Sequence, residues 1–184
     1  TTEDGSYFLN GAMTDTELMA VSREDDATWV IPTEDEWYKA AYHKNDGVTG
    51  NYFDYPTNND NTPSNDLDGS GNNATFWSNS DYEYTIGSPY WRTEVGAHIN
   101  SESPYKTFDQ GGNAWEWNET IHSSSTRGAR GGTFGSSSLD LRASDRSCNL
   151  TPTHGAIGFR VAYVPEPATA VMVVLCGLVL ISRR

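Results

Sequence analysis

A chain of 184 residues has the length of one domain, and its 12 basic and 25 acidic side chains give a formal net charge of −13. That charge argues against a nucleic-acid-binding protein, because contacts to phosphate groups require a basic surface. Six Trp, ten Tyr and six Phe supply bulk for a core, but Gly, Asn, Ser and Asp are frequent and regular hydrophobic periodicity is scarce. We therefore expect a loop-rich fold with short strands rather than a helix bundle.

The clearest helix signal follows a polar N-terminal stretch. Residues 1–26 contain only a weak strand signal at Tyr7–Leu9. Thr33 can then cap a helix, and Glu36, three residues on, completes a capping box. Acidic residues in the first turn favour the positive end of the helix dipole. Three apolar residues follow at i, i+3 and i+4, namely Trp37, Ala40 and Ala41. This pattern predicts one main helix over Thr33–His43.

Residues 45–80 are rich in Asn, Asp, Gly, Pro and Thr, which predicts long irregular loops around an aromatic patch at residues 52–56. A loop of this length is unusual in a compact domain unless something holds it in place. Bound calcium is one candidate, and a solvated Asn-rich loop is the alternative.

The stretch Phe108–Trp117 combines turn-forming residues with oxygen ligands. Gly111 and Gly112 permit positive φ and close backbone approach. Asp109 and Glu116 place carboxylates on either side of a turn whose carbonyl groups can point inward. Carboxylates and backbone carbonyls are the ligands of calcium sites. The alternative is a tight turn with two core tryptophans and two solvated acids.

Four short blocks, taken in order, carry a family resemblance. They read Ile-Pro-Thr-Glu-Asp-Glu-Trp from Ile31, Gly-Asn-Ala-Trp-Glu-Trp from Gly112, Arg-Gly-Gly-Thr from Arg130 and Gly-Phe-Arg from Gly158. They resemble the formylglycine-generating enzyme, or sulfatase-modifying factor, family over about residues 29–162. The resemblance implies a loop-rich α+β fold of C-type-lectin-like architecture over residues 1–163. It would have one main helix and short antiparallel strands, and the N-terminal portion of the family domain would be missing.

The same resemblance implies two structural calcium sites. In the family, one site uses two side chains and two backbone carbonyls, which here correspond to Asp109, Gly112, Ala114 and Glu116. The other uses a side-chain amide and the backbone carbonyl of the following residue, which correspond to Asn73 and Ala74. The acid that completes this second site has no match in register, so Asp81 or Glu83 would have to substitute.

The resemblance also implies an oxidase, but the residues that carry its chemistry differ. In the family, two cysteine thiolates bind copper(I) and use dioxygen to oxidise a substrate cysteine to formylglycine. Here Ser136 and Ser138 fall at those positions, and copper(I) selects thiolate ligands over hydroxyl oxygen. The two cysteines of the chain, Cys148 and Cys176, lie elsewhere, and we expect no disulfide between them. We therefore expect structural calcium and no copper.

We interpret the domain as a non-catalytic, calcium-stabilised protein that binds a polysaccharide or another protein. The aromatic residues within 52–55 and 82–91 are the contact candidates, because sugar faces stack on aromatic rings. Core packing is the alternative for these side chains. The alternative function is an active formylglycine-generating oxidase that acts on sulfatase cysteines.

The C-terminal residues 164–184 form a separate segment of three parts. Pro165, Glu166 and Pro167 precede an apolar run fourteen residues long at 168–181, which includes one Thr, and Arg183 and Arg184 follow. The apolar run would be about 21 Å long as a helix, shorter than a hydrocarbon core of about 30 Å. The pattern resembles the PEP-CTERM sorting signal, which a membrane peptidase, the exosortase, cleaves. This implies export in a Gram-negative bacterium, anchoring in the inner membrane by a C-terminal hydrophobic helix, and release to the cell surface or extracellular matrix.

Overall fold

A computed structural model describes residues 5–123, 126–147 and 155–165. Two α-helices, seven short strands and one 3₁₀ helix are connected by long loops in these ranges. In chain order they are α1 (Asp15–Ala20), β1 (Trp29–Val30), α2 (Glu34–Tyr42), β2 (Trp77–Ser78), β3 (Glu83–Tyr84), β4 (Trp115–Ser123), β5 (Thr126–Arg130), the 3₁₀ helix (Ser138–Leu141), β6 (Ile157–Phe159) and β7 (Ala162–Tyr163). The expected loop-rich α+β fold with one main helix is confirmed.

The strands form one three-stranded sheet and two two-stranded ribbons. In the sheet, β4 lies between β5 and β6, while β1 pairs with β7 and β2 pairs with β3. The expected antiparallel arrangement holds for three of these pairings. It does not hold for β6, which runs parallel to β4. The strand β5 runs opposite to β4. The chain then reverses once more, so β6, on the other edge of β4, runs in the same direction as β4.

The main helix forms where the local signals placed it. Thr33 caps α2 in a full capping box with Glu36, and the helix ends at the C-cap His43. Trp37 and Ala41 are fully buried as expected, whereas Ala40 is only half-buried and Tyr42 completes the buried face. The short helix α1 was not expected from the sequence. None of its residues is buried, and a capping box between Thr14 and Glu17 marks its start.

Two small buried clusters form the core beside the sheet. One consists of residues on α2, and the other joins the loop aromatic Tyr55 and the turn residues Ala74 and Phe76 to the 3₁₀ helix. The hydroxyl of Tyr42 donates to the carbonyl of Leu141 at 3.0 Å and so connects the two clusters. The loops of residues 45–76 therefore form part of the core. Core packing is the correct interpretation for Tyr55.

Several sequence-based expectations lie outside the described residues. These are the apolar run at 168–181 with its expected helix, and the residues Glu166, Pro167, Cys148 and Cys176. Within the ranges that the structure covers, no helix has the length and apolar character needed to cross a membrane.

Candidate functional site

The carboxylate of Glu116 joins three of the four sequence blocks in one contact. Arg160 donates from Nε and Nη2 to its two oxygens at 2.5 Å each, and the indole Nε1 of Trp37 donates at 2.6 Å. Arg160 also donates to the carbonyl of Phe108 at 3.1 Å. Paired bonds between a guanidinium and a carboxylate are both strong and directional. Glu116 therefore fixes β4 against α2 and against the chain that leaves β6.

The carboxylate of Glu34 joins the first and third blocks and is only 3% exposed. Arg130 and Arg146 each donate from Nε to Oε1 at 2.7 Å, and Nε2 of His122 lies 3.2 Å from Oε2. Burial raises the pKa of Glu34, but the hydrogen bonds and charges of the two arginines outweigh burial, so its pKa lies below the usual value. Sequence reasoning gave Glu34 no role beyond the helix start, because its partners lie far along the chain.

A tight loop follows β5 and carries the serines at the expected cysteine positions. We call residues 131–138 the serine loop; it begins with Gly131 and Gly132, both at positive φ. Ser136 accepts a hydrogen bond from the amide of Thr133 at 3.0 Å, and its carbonyl accepts from the amide of Trp77 at 2.8 Å. The loop is therefore held by hydrogen bonds from its backbone amides to nearby side-chain oxygens, and no histidine of the described ranges hydrogen-bonds to its serines.

An aromatic cluster includes Phe134 of the serine loop and three rings from residues 77–91. Its half-buried rings belong to Trp77, Tyr84, Trp91 and Phe134. Tyr84 lies 4.6 Å from Trp77 and 4.7 Å from Trp91 between ring centroids, and Trp91 stacks on Phe134 at 6.4 Å. The guanidinium of Arg92 lies 5.2 Å above the Phe134 ring. The exposed rings of Tyr82 and Tyr90 belong to the same segment. The expected contact region at residues 82–91 thus contains both packed and exposed aromatics.

These contacts bring together all four sequence blocks that carry the family resemblance. The sequence model of the sulfatase-modifying factor enzyme 1-like domain matches residues 9–164. The chain belongs to this family. The match extends beyond the four blocks on both sides and includes the long polar loops between them.

Two solved structures share the fold of this sulfatase-modifying-factor domain. Treponema denticola variable protein 1 is 21% identical with a TM-score of 0.52, and the match covers 81% of this chain and 52% of that protein. CarF is 15% identical with a TM-score of 0.51, and the match covers 85% of this chain and 57% of CarF. At these identities the likeness shows the fold alone, and this chain spans about half the length of either protein. A comparison with curated proteins finds no matching relative.

At the first expected calcium site of this family member, protein donors already contact both acidic side chains. Oδ2 of Asp109 accepts the amide of Gly96 at 2.5 Å, and the carbonyl of Gly112 accepts the amide of Ala114 at 2.7 Å. Glu116 accepts three hydrogen bonds, two of them from a cation, out of about four lone-pair positions. Asp109 and the carbonyl oxygens of Gly112 and Ala114 therefore retain lone pairs that could bind a cation. Of the four expected ligands, Glu116 fits that role least. No cluster of three His, Cys, Asp or Glu side chains suited to a metal occurs in the described ranges.

At the second expected site, a buried oxygen fits the ligand role well. Asn73 is 2% exposed, and its Oδ1 has no hydrogen-bond partner. Its Nδ2 donates to Asp68 at 3.1 Å, and its backbone amide donates to Ser101 at 2.8 Å, so the orientation of the side chain is fixed. Asp81, the suggested acidic partner, instead accepts from the hydroxyls of Ser78 and Ser80. An unpaired buried oxygen is costly, and a cation would satisfy it. Both calcium sites stay predictions.

Proposed function

We propose that this chain is a non-catalytic, calcium-stabilised member of the sulfatase-modifying-factor family that is exported and binds a polysaccharide or another protein. One observation carries the proposal: Ser136 and Ser138 stand where the resemblance places the copper-binding thiolates. Ser136 is used as a hydrogen-bond acceptor within its own loop. A hydroxyl is a poor ligand for copper(I), so the oxidase chemistry of the family has no ligand pair here.

The purified protein should therefore not convert a cysteine-containing sulfatase peptide to the aldehyde in the presence of copper(I) and dioxygen, as measured by mass spectrometry. The assay should use a Cys148→Ser/Cys176→Ser background, which removes unrelated thiols. In that background the Ser136→Cys/Ser138→Cys variant is the matched comparison, because it supplies both sulfurs at the expected positions. Aldehyde formation, or tight stoichiometric copper(I) binding by the parent protein, would support the alternative function as an active oxidase.

The calcium part of the proposal rests chiefly on Asn73, whose buried oxygen lacks a partner, and on the spare acceptor capacity around Asp109. A cation at either position would hold a loop-rich region that has little regular secondary structure. Ala74 follows Asn73 directly and belongs to the buried cluster around Phe76. The role of calcium would be structural, since it would fix loops that contribute core residues.

Calcium should raise the melting temperature of the wild-type protein, because an ion that binds only the folded state adds about 2.7 kcal/mol at 100 times its Kd. Asn73→Ala should lose part of this calcium-dependent rise, as measured by scanning calorimetry with calcium and with chelator. Asn65→Ala is the matched control, since Asn65 is also buried but donates to the carbonyl of Glu83. Asp109→Ala tests the other site without removing the partner of Arg160. A wild-type protein whose melting does not respond to calcium would contradict the assignment.

The contact surface that we propose for a polysaccharide or protein ligand is the segment around the aromatic cluster. Tyr82 and Tyr90 expose most of their rings there, beside the half-buried Tyr84 and Trp91. Exposed aromatic rings give large contact area at low entropic cost, which suits both ligand classes. Tyr52 is a weaker candidate, because its ring packs against Tyr38 at 5.0 Å. Binding to a glycan array, with and without calcium, would identify the ligand class.

We further propose that residues 164–184 direct sorting. The strand β7 ends at Tyr163, and the amide of Val164 donates to the carbonyl of Thr28 at 2.8 Å, so the domain is closed just before Pro165. The apolar run at 168–181 would then hold the exported protein in the inner membrane of a Gram-negative bacterium. An exosortase would act at Pro165–Pro167 and release the domain to the cell surface or extracellular matrix.

A further inference from the structure

The end of the domain carries an exposed apolar stripe. Phe159, Val161 and Tyr163 alternate with half-buried residues, and side chains two apart in extended chain share a face. Trp29 lies directly opposite Tyr163 in the β1–β7 ribbon, with ring centroids 5.2 Å apart. All four side chains are between 55% and 63% exposed. We call these four residues the exposed stripe.

The exposed stripe is unusual because the side chains next to its members in sequence already make contacts inside the domain. Arg160, between Phe159 and Val161, points to Glu116, and Val30, next to Trp29, is buried. An antiparallel ribbon with one packed face normally presents polar side chains on the other face. Here the outer face of the β1–β7 ribbon carries the aromatic rings of Trp29 and Tyr163, and the exposed Val161 and Phe159 precede Tyr163 along the chain. Such a composition indicates a surface that contacts an apolar or interfacial environment.

The position of the exposed stripe in the chain points to one occupant. Only residues 164–167 separate Tyr163 from the apolar run that begins at residue 168. At full extension these residues reach about 17 Å, and their two prolines restrict the path further. If the run enters a bilayer, the β1–β7 ribbon must therefore lie close to the membrane surface. Trp and Tyr are the side chains that prefer the interface between lipid and water.

We propose that the exposed stripe lies in the headgroup layer of the membrane that anchors the chain. This inference rests on the proposed anchoring by residues 168–181. Contact through Trp29 and Tyr163 would hold the domain in one orientation relative to the membrane. Without that contact, the domain could rotate about residues 164–167. Pro165 to Pro167 would then be presented at a fixed depth, within reach of a processing enzyme embedded in the same membrane.

The charge near the exposed stripe defines the kind of lipid contact. Asp25 and Asp26 are exposed and precede Trp29 by a few residues, and the chain as a whole carries a charge of −13. These charges oppose an anionic lipid surface, so the attraction must come from the apolar rings. The contact should therefore occur on neutral phosphatidylcholine and should not strengthen when phosphatidylglycerol is added.

Tryptophan quenching on vesicles tests this inference with the full chain. The protein is reconstituted in phosphatidylcholine vesicles that carry bromine on the acyl chains near the headgroup, and the bromine quenches nearby indole fluorescence. Trp29→Phe should remove more than half of the quenched signal. Trp91→Phe is the matched control and should leave the quenched signal unchanged, because Trp91 belongs to the aromatic cluster that includes Phe134 of the serine loop.

The outcomes separate the inference from the anchor on which it rests. A chain that does not float with the vesicles would overturn the proposed anchor itself. A chain that floats, but whose quenching is absent or unaffected by Trp29→Phe, would overturn only the membrane contact of the exposed stripe. If Tyr163→Cys in the Cys148→Ser/Cys176→Ser background also cross-links to a second copy, the stripe is an interface between copies. Quenching that depends on Trp29 in neutral lipid supports the inference.

Discussion

Replacing Glu34 with alanine should lower the free energy of unfolding by about 3–5 kcal/mol, the range for breaking a buried ion pair by removing one partner. The carboxylate is nearly inaccessible to solvent, and it is the acid that neutralises the buried guanidinium of Arg130. The variant would leave that cation without its acid and would also remove partners from Arg146 and His122. Urea denaturation followed by circular dichroism would measure the loss.

The neighbouring acid provides a matched control. Asp35 lies in the same first turn of α2 but is exposed, so Asp35→Ala should cost only the helix-dipole contribution of about 0.3–1 kcal/mol. Glu34→Gln preserves shape and some hydrogen bonding while removing the charge, and its cost should fall between the two. Equal losses for Glu34→Ala and Asp35→Ala would mean that the buried ion pairs do not stabilise the fold.

The pH dependence of stability gives a second measurement on Glu34. Its folded pKa lies below the ordinary value of 4.5, so its stabilising contribution is present above that value. The contribution is lost as the pH falls through the lower, folded pKa, because the carboxylate must then be protonated. The wild-type protein should therefore lose more stability than Glu34→Gln as the pH is lowered from 6 to 3. Parallel profiles for the two proteins would contradict this assignment.

The elements that the sequence predicted best are those with local causes. The helix α2 needs only its capping box and three apolar positions, all within a dozen residues of each other. The burial of Glu34 has no local cause, since Glu34 and Glu36 occupy the same helix turn with the same chemistry. What separates them is contact with Arg130 and Arg146, about a hundred residues away. Only the folded chain brings those cations to one of the two acids and not to the other.

The four sequence blocks made the family and the loop-rich fold predictable, because each block contributes to a contact between distant elements. They did not reveal which residues share a contact. Glu116 was expected as a calcium ligand, yet in the structure its carboxylate accepts hydrogen bonds from Arg160 and Trp37. Conversely, Asn73 was expected as a calcium ligand only because of the family resemblance, and only the structure shows that its buried side-chain oxygen is unpaired. Hydrogen-bond satisfaction depends on tertiary geometry, which no spacing in the sequence encodes.

The turn before β4 contains a glycine whose replacement should be among the most damaging changes in the chain. Gly112 has a φ of +80°, and a Cβ built there would lie 2.0 Å from the carbonyl oxygen of Thr75. That oxygen is held in place, because it accepts the amide of Asn113 at 2.8 Å. Neither backbone can move without breaking this bond or the one from Gly112 to the carbonyl of Gly131 at 2.7 Å. The close approach thus requires a residue without a side chain.

Gly112→Ala should therefore cost about 1–2 kcal/mol for the left-handed backbone and about 1–3 kcal/mol more for overpacking. A substitution at Gly96 separates the backbone cost from the overpacking cost, because Gly96 has a nearly identical φ of +81° but open space around its Cβ position. Gly96→Ala should show the backbone cost alone, as measured by urea denaturation of both variants. A Gly112→Ala variant that fails to fold while Gly96→Ala folds agrees with the expectation, since the difference then exceeds the remaining stability. Equal costs would show that the approach of Thr75 to this turn is not a close contact, and that the turn can open without strain.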